Sequence, residues 1–261
     1  MVPYLDLPPL QVGGHSFGVF GLLVWVGIIT GYFVARWQAR RVGLDSQIVS
    51  SLVAVCAFFG LLGSHWVFLF VYHPEVFRAD PWSLIQIWQG MSSYGGMFTS
   101  ALAGAIFVRW LRVPFLPYAD VCVFTFFHVW FFGRLGCTTA HDHPGCPSQF
   151  WLAVKFPDTP RHDLGLYEWL LCFLWLPLVH WLGRKERIAS SPPGTLLHIM
   201  LIAYAVPRFF LDFLRATDLP SCDVRYGGLT PAQYGCIVFV LIACRFFVRR
   251  NRSSSALNAA S

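Results

Sequence analysis

The run Ala119-Asp120-Val121-Cys122-Val123-Phe124-Thr125-Phe126-Phe127-His128-Val129-Trp130-Phe131-Phe132 leads without a break into Gly133-Arg134-Leu135-Gly136-Cys137-Thr138-Thr139-Ala140-His141-Asp142-His143-Pro144-Gly145. The first part is apolar enough to lie in a lipid bilayer, and it ends on an arginine. A guanidinium at bilayer depth costs about 2.5–3.5 kcal/mol, so membrane-level arginines are retained for what they do. Two histidines, an aspartate and a cysteine follow within a few residues. No other segment sets a membrane-level cation beside so much titratable chemistry, and this stretch is the candidate active site.

The rest of the chain agrees with a membrane reading. Of 261 residues, 56% are hydrophobic, 17% aromatic and only 12% charged, against about 25% charged in ordinary soluble domains. There is no long polar block from which to build a separate soluble domain. Windows of about 20 residues pick out Phe17–Ala35, Gln47–Tyr72, Tyr94–Val108, Ala119–Leu135, Tyr167–Trp181, Gly194–Phe213 and Gln233–Phe247. These runs are continuous and longer than the roughly 10-residue alternating strands of a membrane barrel. The expected fold is therefore all-α: seven transmembrane helices in a single integral membrane domain, residues 1–252, followed by a disordered tail, 253–261. The start, Met1-Val2-Pro3-Tyr4-Leu5-Asp6, lacks the basic region of a signal peptide, so the first span is expected to stay in the mature protein.

Basic residues set the expected orientation. Arg36, Arg40 and Arg41 follow the first segment, and Arg109 and Arg112 the third. Arg184, Lys185 and Arg187 follow the fifth, and Arg245, Arg249, Arg250 and Arg252 the seventh. If seven spans alternate, all of these ends share one side. That side is the cytoplasm, which leaves the amino terminus outside. A formal net charge of +6 is thus explained by span ends rather than by a nucleic-acid-binding stripe. The connections between segments four and five, about 138–166, form a small extracytoplasmic head. In His73–Gln89 the sequence Asp80-Pro81-Trp82 predicts a turn into a short interfacial helix.

Arg134 and Arg208 lack a topological explanation, because both lie within or against apolar runs near the outer boundary. A planar guanidinium suits a phosphate and stays charged in a low dielectric. Pairing with Asp212 or Asp142 is the structural alternative. Tyr204 precedes Arg208 by one helical turn and can share its face. Tyr94-Gly95-Gly96 opens the third segment, where paired glycines permit close approach of a lipid or, equally, of a neighbouring helix. The cluster Cys137, His141, Asp142, His143 and Cys146 has zinc-like donor types, but its spacing matches no common zinc pattern. An oxidising outer location also allows a Cys137–Cys146 disulfide, with Cys222 as a third outer cysteine.

Together these residues resemble the bacterial prolipoprotein diacylglyceryl transferases over almost the whole chain. The resemblance rests on Gln86-Ile87-Trp88-Gln89-Gly90-Met91-Ser92-Ser93-Tyr94-Gly95-Gly96-Met97 and Gly133-Arg134-Leu135-Gly136. It continues through Pro160-Arg161-His162 with Leu166-Tyr167-Glu168, then Tyr204-x3-Arg208-Phe209 with Asp212-x2-Arg215, and Gly227-Gly228-Leu229-Thr230-x2-Gln233. It implies transfer of the diacylglyceryl group of phosphatidylglycerol to the lipobox cysteine of a prolipoprotein signal peptide. The reaction would take place at the outer leaflet of the bacterial cytoplasmic (inner) membrane, among membrane lipids, without nucleic acid, metal or diffusible cofactor. On this resemblance Arg134 and Arg208 are the essential arginines. Tyr94, His141, Asp142 and His143 join them as catalytic candidates, and Gly95, Gly96, Gly136, Cys137, Gly145, His162, Tyr204 and Arg215 as substrate-binding candidates.

Several positions depart from the family pattern. Tyr94 stands where a histidine is usual before Gly-Gly, Cys137 where an asparagine is usual, and Asp142 at the usual acidic position. Phe17 replaces a tyrosine, and Asp163-Leu164-Gly165 replaces Pro-Ser-Gln. A tyrosine, with an ordinary pKa of about 10, is a poor base near neutrality; His141 or His143 is the expected replacement. Two other readings stay open: a relative that uses the same lipid with another acceptor or hydrolyses it, and a non-catalytic phospholipid-binding membrane protein.

Overall fold

The computed structural model describes the backbone of residues 1–12, 15–87, 90–219 and 225–260, with side chains except at 12, 15–17, 93–94 and 253–260. Trp88-Gln89 of the quoted motif and Cys222 lie outside the described residues.

In chain order, a short hairpin β1 (Leu10–Val12) and β2 (His15–Phe17) precedes α1 (Val19–Val42). Next comes α2 (Ser46–Val67), prolonged by a π-helical turn, Phe68–Tyr72, and then α3 (Pro74–Ala79). A 3-10 turn, Pro81–Ile85, leads to α4 (Ser93–Trp110) and α5 (Phe115–Ala140). Strands β3 (Pro144–Pro147), β4 (Val154–Lys155) and β5 (Pro160–Asp163) follow. The chain ends with α6 (Leu164–Leu182), α7 (Lys185–Ser190), α8 (Thr195–Leu211) with a 3-10 turn Asp212–Leu214, and α9 (Pro231–Ala260).

The protein is mostly helical, and among the described residues six helices are long and apolar enough to cross a membrane. The expected third span, α4, is a helix of 18 residues but is not one of the six. Its Gly95, Gly96, Ser100 and Gly104 lower its apolarity and serve packing instead. The all-α expectation also needs correcting, because the connection between α5 and α6 folds as a three-stranded antiparallel sheet in the order β3-β5-β4. The tail, expected to be disordered, continues the backbone of α9 to Ala260.

The chain divides into two compact units, Met1–Thr30 with Phe126–Ser261, and Gly31–Thr125. In the second unit α2 and α4 meet along a seam of small residues. A Cβ on Gly63 would lie 2.1 Å from Thr99 Oγ1, and one on Gly95 would lie 2.6 Å from Val67 Cβ. Such close approach is how helices associate where lipid removes the hydrophobic drive between them. Ser100 Oγ donates to Cys56 O at 2.7 Å and Thr99 Oγ1 to Phe59 O at 2.9 Å, tying the seam. Fully buried His65 places its ring nitrogens 2.9 Å from Gly90 O and 2.7 Å from Ser83 O. That ties Ser83 and Gly90 to α2, and Ser92 caps the start of α4 by accepting from Gly95 N. The predicted turn is present, with Asp80 accepting from Trp82 N at 3.0 Å.

In the first unit the head sheet packs Val154 against Leu164, Leu166 and Tyr167. Its open edge is covered by the amino terminus: Val2 N donates to Ala153 O at 2.9 Å, and Lys155 N to Val2 O at 3.0 Å. Pairing of this kind removes exposed strand edges.

Gly63→Val should lower stability by about 1–3 kcal/mol through overpacking against Thr99, read as a lower melting temperature in detergent. Gly235→Ala, whose Cβ meets nothing within 4 Å, should melt no lower than the parent.

Candidate active site

Glu168 is the one acidic residue of α6, and it is fully buried. Two arginines converge on it. Arg208 of α8 places Nη1 2.5 Å from Glu168 Oε1, and Arg134 of α5 places Nε 3.0 Å from Glu168 Oε2. Both arginines are about as buried as the core, at 5% and 6% exposure. The pairs that sequence spacing leaves open are thus resolved: Arg208 also holds Asp212, Nη2 to Oδ1 at 3.0 Å, and Arg215 Nε lies 3.2 Å from the same oxygen. Asp212 Oδ2 accepts from Thr230 Oγ1, while Gln233 Nε2 donates to Phe209 O at 3.0 Å. The network therefore runs from α5 through α6 and α8 to the start of α9.

The two arginines are held differently. Arg208 donates a hydrogen bond to Glu168. The Arg134 Nε–H does not point along its contact with Glu168 and has no hydrogen-bond partner. Its guanidinium carbon stacks 4.2 Å from the Trp130 ring centroid, and its Nη1 lies 3.7 Å from Cys137 Sγ. Tyr204 is buried against the same wall, edge-on to Trp130 at 5.7 Å and tilted on Trp175 at 5.6 Å.

At the end of α5, His141 adopts a left-handed backbone with φ 48°, and the chain turns back. Asp142 and His143 return to Cys137, one donor atom of each within 4.8 Å of the others. Burial, and then Arg134, Arg215 and Arg208, push the His143 imidazole down to about 3. His141 faces elsewhere. Its Nδ1 lies 2.7 Å from Asp163 Oδ2, its Nε2 accepts from Leu5 N at 3.3 Å, and its ring stacks on Tyr4 at 4.1 Å. Both ring nitrogens of this candidate are thus committed to the amino-terminal segment and the α6 cap.

The remaining candidates fall around this centre or apart from it. Gly136 brings α5 against α1, where a Cβ would lie 2.9 Å from Phe20 Cδ2. Gly145 bridges Arg215, and a Cβ there would lie 2.6 Å from Leu214 O. His162 Nδ1 meets Tyr167 Oη at 2.7 Å. Cys137 and Cys146 are free thiols, and Cys146 donates to Arg215 O at 3.2 Å. Gly95 and Gly96 belong to the other unit and line the α2–α4 seam; the Tyr94 side chain is not among those described. Glu168 and Thr230 were not singled out as site residues by sequence reasoning. For Glu168 a signal existed, an acid inside an apolar run opposite two intramembrane arginines.

Fold and site together define a multi-pass membrane protein with a buried arginine–carboxylate centre. A family model for prolipoprotein diacylglyceryl transferase matches residues 9–249. Among curated relatives, the phosphatidylglycerol–prolipoprotein diacylglyceryl transferase of Nitratidesulfovibrio vulgaris (strain Miyazaki F) is 28% identical over 260 residues, covering 97% of this chain and 96% of its own. The protein of that name from Geobacter sulfurreducens is 29% identical over 226 residues, 83% and 84% of the two chains. That from Chromohalobacter salexigens is 28% identical over 240 residues, 89% and 88%. The chain belongs to the prolipoprotein diacylglyceryl transferase family, and is a transferase of lipoprotein biosynthesis.

Glu168→Ala leaves Arg134 and Arg208 without their shared counter-charge. Breaking a buried pair by removing one partner costs about 3–5 kcal/mol, so this variant should melt well below Gly235→Ala in the same detergent.

Proposed function

We propose that the chain transfers the diacylglyceryl group of phosphatidylglycerol to the lipobox cysteine thiol of prolipoproteins. The reading places it in the bacterial cytoplasmic (inner) membrane as one integral domain of seven spans. The amino terminus and head lie outside, and the site faces the outer leaflet. The observation that carries the reading is the pair Arg134 and Arg208 meeting at one buried carboxylate. With Arg215, three guanidinium groups face the two buried carboxylates Glu168 and Asp212. Three guanidinium groups gathered at one place supply donors suited to the oxygens of an anionic headgroup.

In the reaction the thiolate attacks the glycerol carbon, a carbon–sulfur bond forms, and the carbon–oxygen bond to phosphate breaks. Glycerol phosphate leaves with the bonding pair. The arginines stabilise the charge that develops on it. The proton of the thiol needs an acceptor, since only the thiolate is a competent nucleophile. His143 fits this role better than His141, because it stands beside Cys137 and the arginines while His141 is fully engaged. The three arginines that depress its basicity are the groups a bound phosphate would neutralise. Headgroup binding therefore offsets the arginines' share of that depression, while burial, the larger cause, remains.

The test is complementation in a bacterium depleted of its own transferase, followed by the mass of a lipoprotein. Modification by the parent supports the reading. Release of lipid without a lipoprotein acceptor favours a different acceptor, and binding without turnover a non-catalytic protein. Arg208→Ala should abolish transfer in protein that still inserts. Arg134→Lys should retain only part of the rate, since it loses the planar fork. Normal turnover in Arg208→Ala would refute the phosphate role.

A further inference from the structure

Cys137 lies in the last turn of α5 and is buried, His143 has 18% of its side chain exposed, and Asp142 has 42%. The left-handed residue His141 between them turns the chain so that the three donor atoms lie mutually within 4.8 Å. We propose that Cys137, Asp142 and His143 form a binding site for a soft divalent metal ion, Zn2+ in particular.

The donor set is one thiolate sulfur, one imidazole nitrogen and one carboxylate oxygen, all ordinary zinc ligands. In tetrahedral zinc the metal–donor distances of about 2.0–2.3 Å put donors about 3.3–3.8 Å apart. The observed limit of 4.8 Å needs only a small side-chain closure, and the exposed Asp142 provides the way in from water. Three protein ligands leave one tetrahedral position open for water or an anion.

Charge permits the site despite its arginines. The thiolate and Asp142 supply two negative charges to set against the dication, and Arg134 Nη1 lies 3.7 Å from the sulfur. The spacing Cys-x4-Asp-His conceals the site, because the three residues are brought together by a backbone reversal rather than by a helical or knuckle repeat. A metal held here occupies Cys137 and His143 together, so it also inhibits transfer. That consequence rests on the function proposed above, whereas binding itself does not.

The experiment uses the full chain purified in detergent and stripped with chelator, then given Zn2+ alone or Co2+ alone. We expect one Zn2+ retained per chain after desalting, and a near-ultraviolet thiolate-to-cobalt charge-transfer band with Co2+. C137A should lose that band, and C137A and H143A should each bind Zn2+ at least about tenfold more weakly. C146A should bind as the parent does. Should C137A fail to fold, the parent decides alone: Zn2+ should slow alkylation of Cys137 at least about tenfold without slowing that of Cys146. Absence of stoichiometric Zn2+, a cobalt band that persists in C137A, or equal alkylation rates with and without Zn2+ would overturn the site. Zn2+ binding in a chain that fails complementation would leave the site standing and sink only its inhibitory role.

Discussion

A single carboxylate, Glu168, sets the register of the membrane helices around the site. Lipid offers helices no hydrophobic reason to associate, so polar contacts and close packing decide which helices meet and at what height. An unpaired carboxylate at this depth would be costly, and so would either arginine without it. Each can be buried only because the others are. The result locks α5, α6 and α8 at one level, and Asp212 carries the constraint on to Thr230 at the start of α9. Charges in such a network are fixed before any ligand arrives, which is the condition under which electrostatic stabilisation is most effective.

Hydropathy made most of the spans legible, and its errors have physical causes. The run expected to end at Ala35 continues as α1 to Val42, because Arg36, Arg40 and Arg41 end an apolar stretch without ending a helix. The run expected to end at Leu135 likewise continues to Ala140. In α4 the small residues that weaken its hydropathy are those that let it approach α2. The head sheet left no trace of alternation, since its strands are two to four residues long and two of them begin with proline. Such pieces become strands only because the surrounding chain, including the amino terminus, supplies their partners.

Within the site, the arginines were legible and their partners were not. A cation in an apolar run announces itself by its cost, but a pairing across 40 residues, as between Arg208 and Glu168, cannot be read from spacing. The two histidines make the point more sharply. His141 and His143 have the same intrinsic chemistry and lie two positions apart, yet one is spent on Asp163, Leu5 and Tyr4 while the other turns toward Cys137. What separates them is one positive φ at a residue that is not glycine. That conformation is uncommon for a residue with a side chain, and its anchors hold it in place.

The two arginines are also held unequally. Arg208 is fixed on both sides, by Glu168 and by Asp212, and turning it would break two buried ion pairs at once. Arg134 has one carboxylate contact, poorly aligned, donates Nη1 to Cys137 Sγ at 3.7 Å, and rests its guanidinium on the face of Trp130. A cation on an aromatic face can rotate within its plane at little cost, since the attraction is to the ring quadrupole rather than to a single lone pair. An unsatisfied buried N–H is itself destabilising, so the Arg134 Nε–H is a donor that would gain from an acceptor. Arg208 is thus the fixed arginine of the pair and Arg134 the more adaptable one.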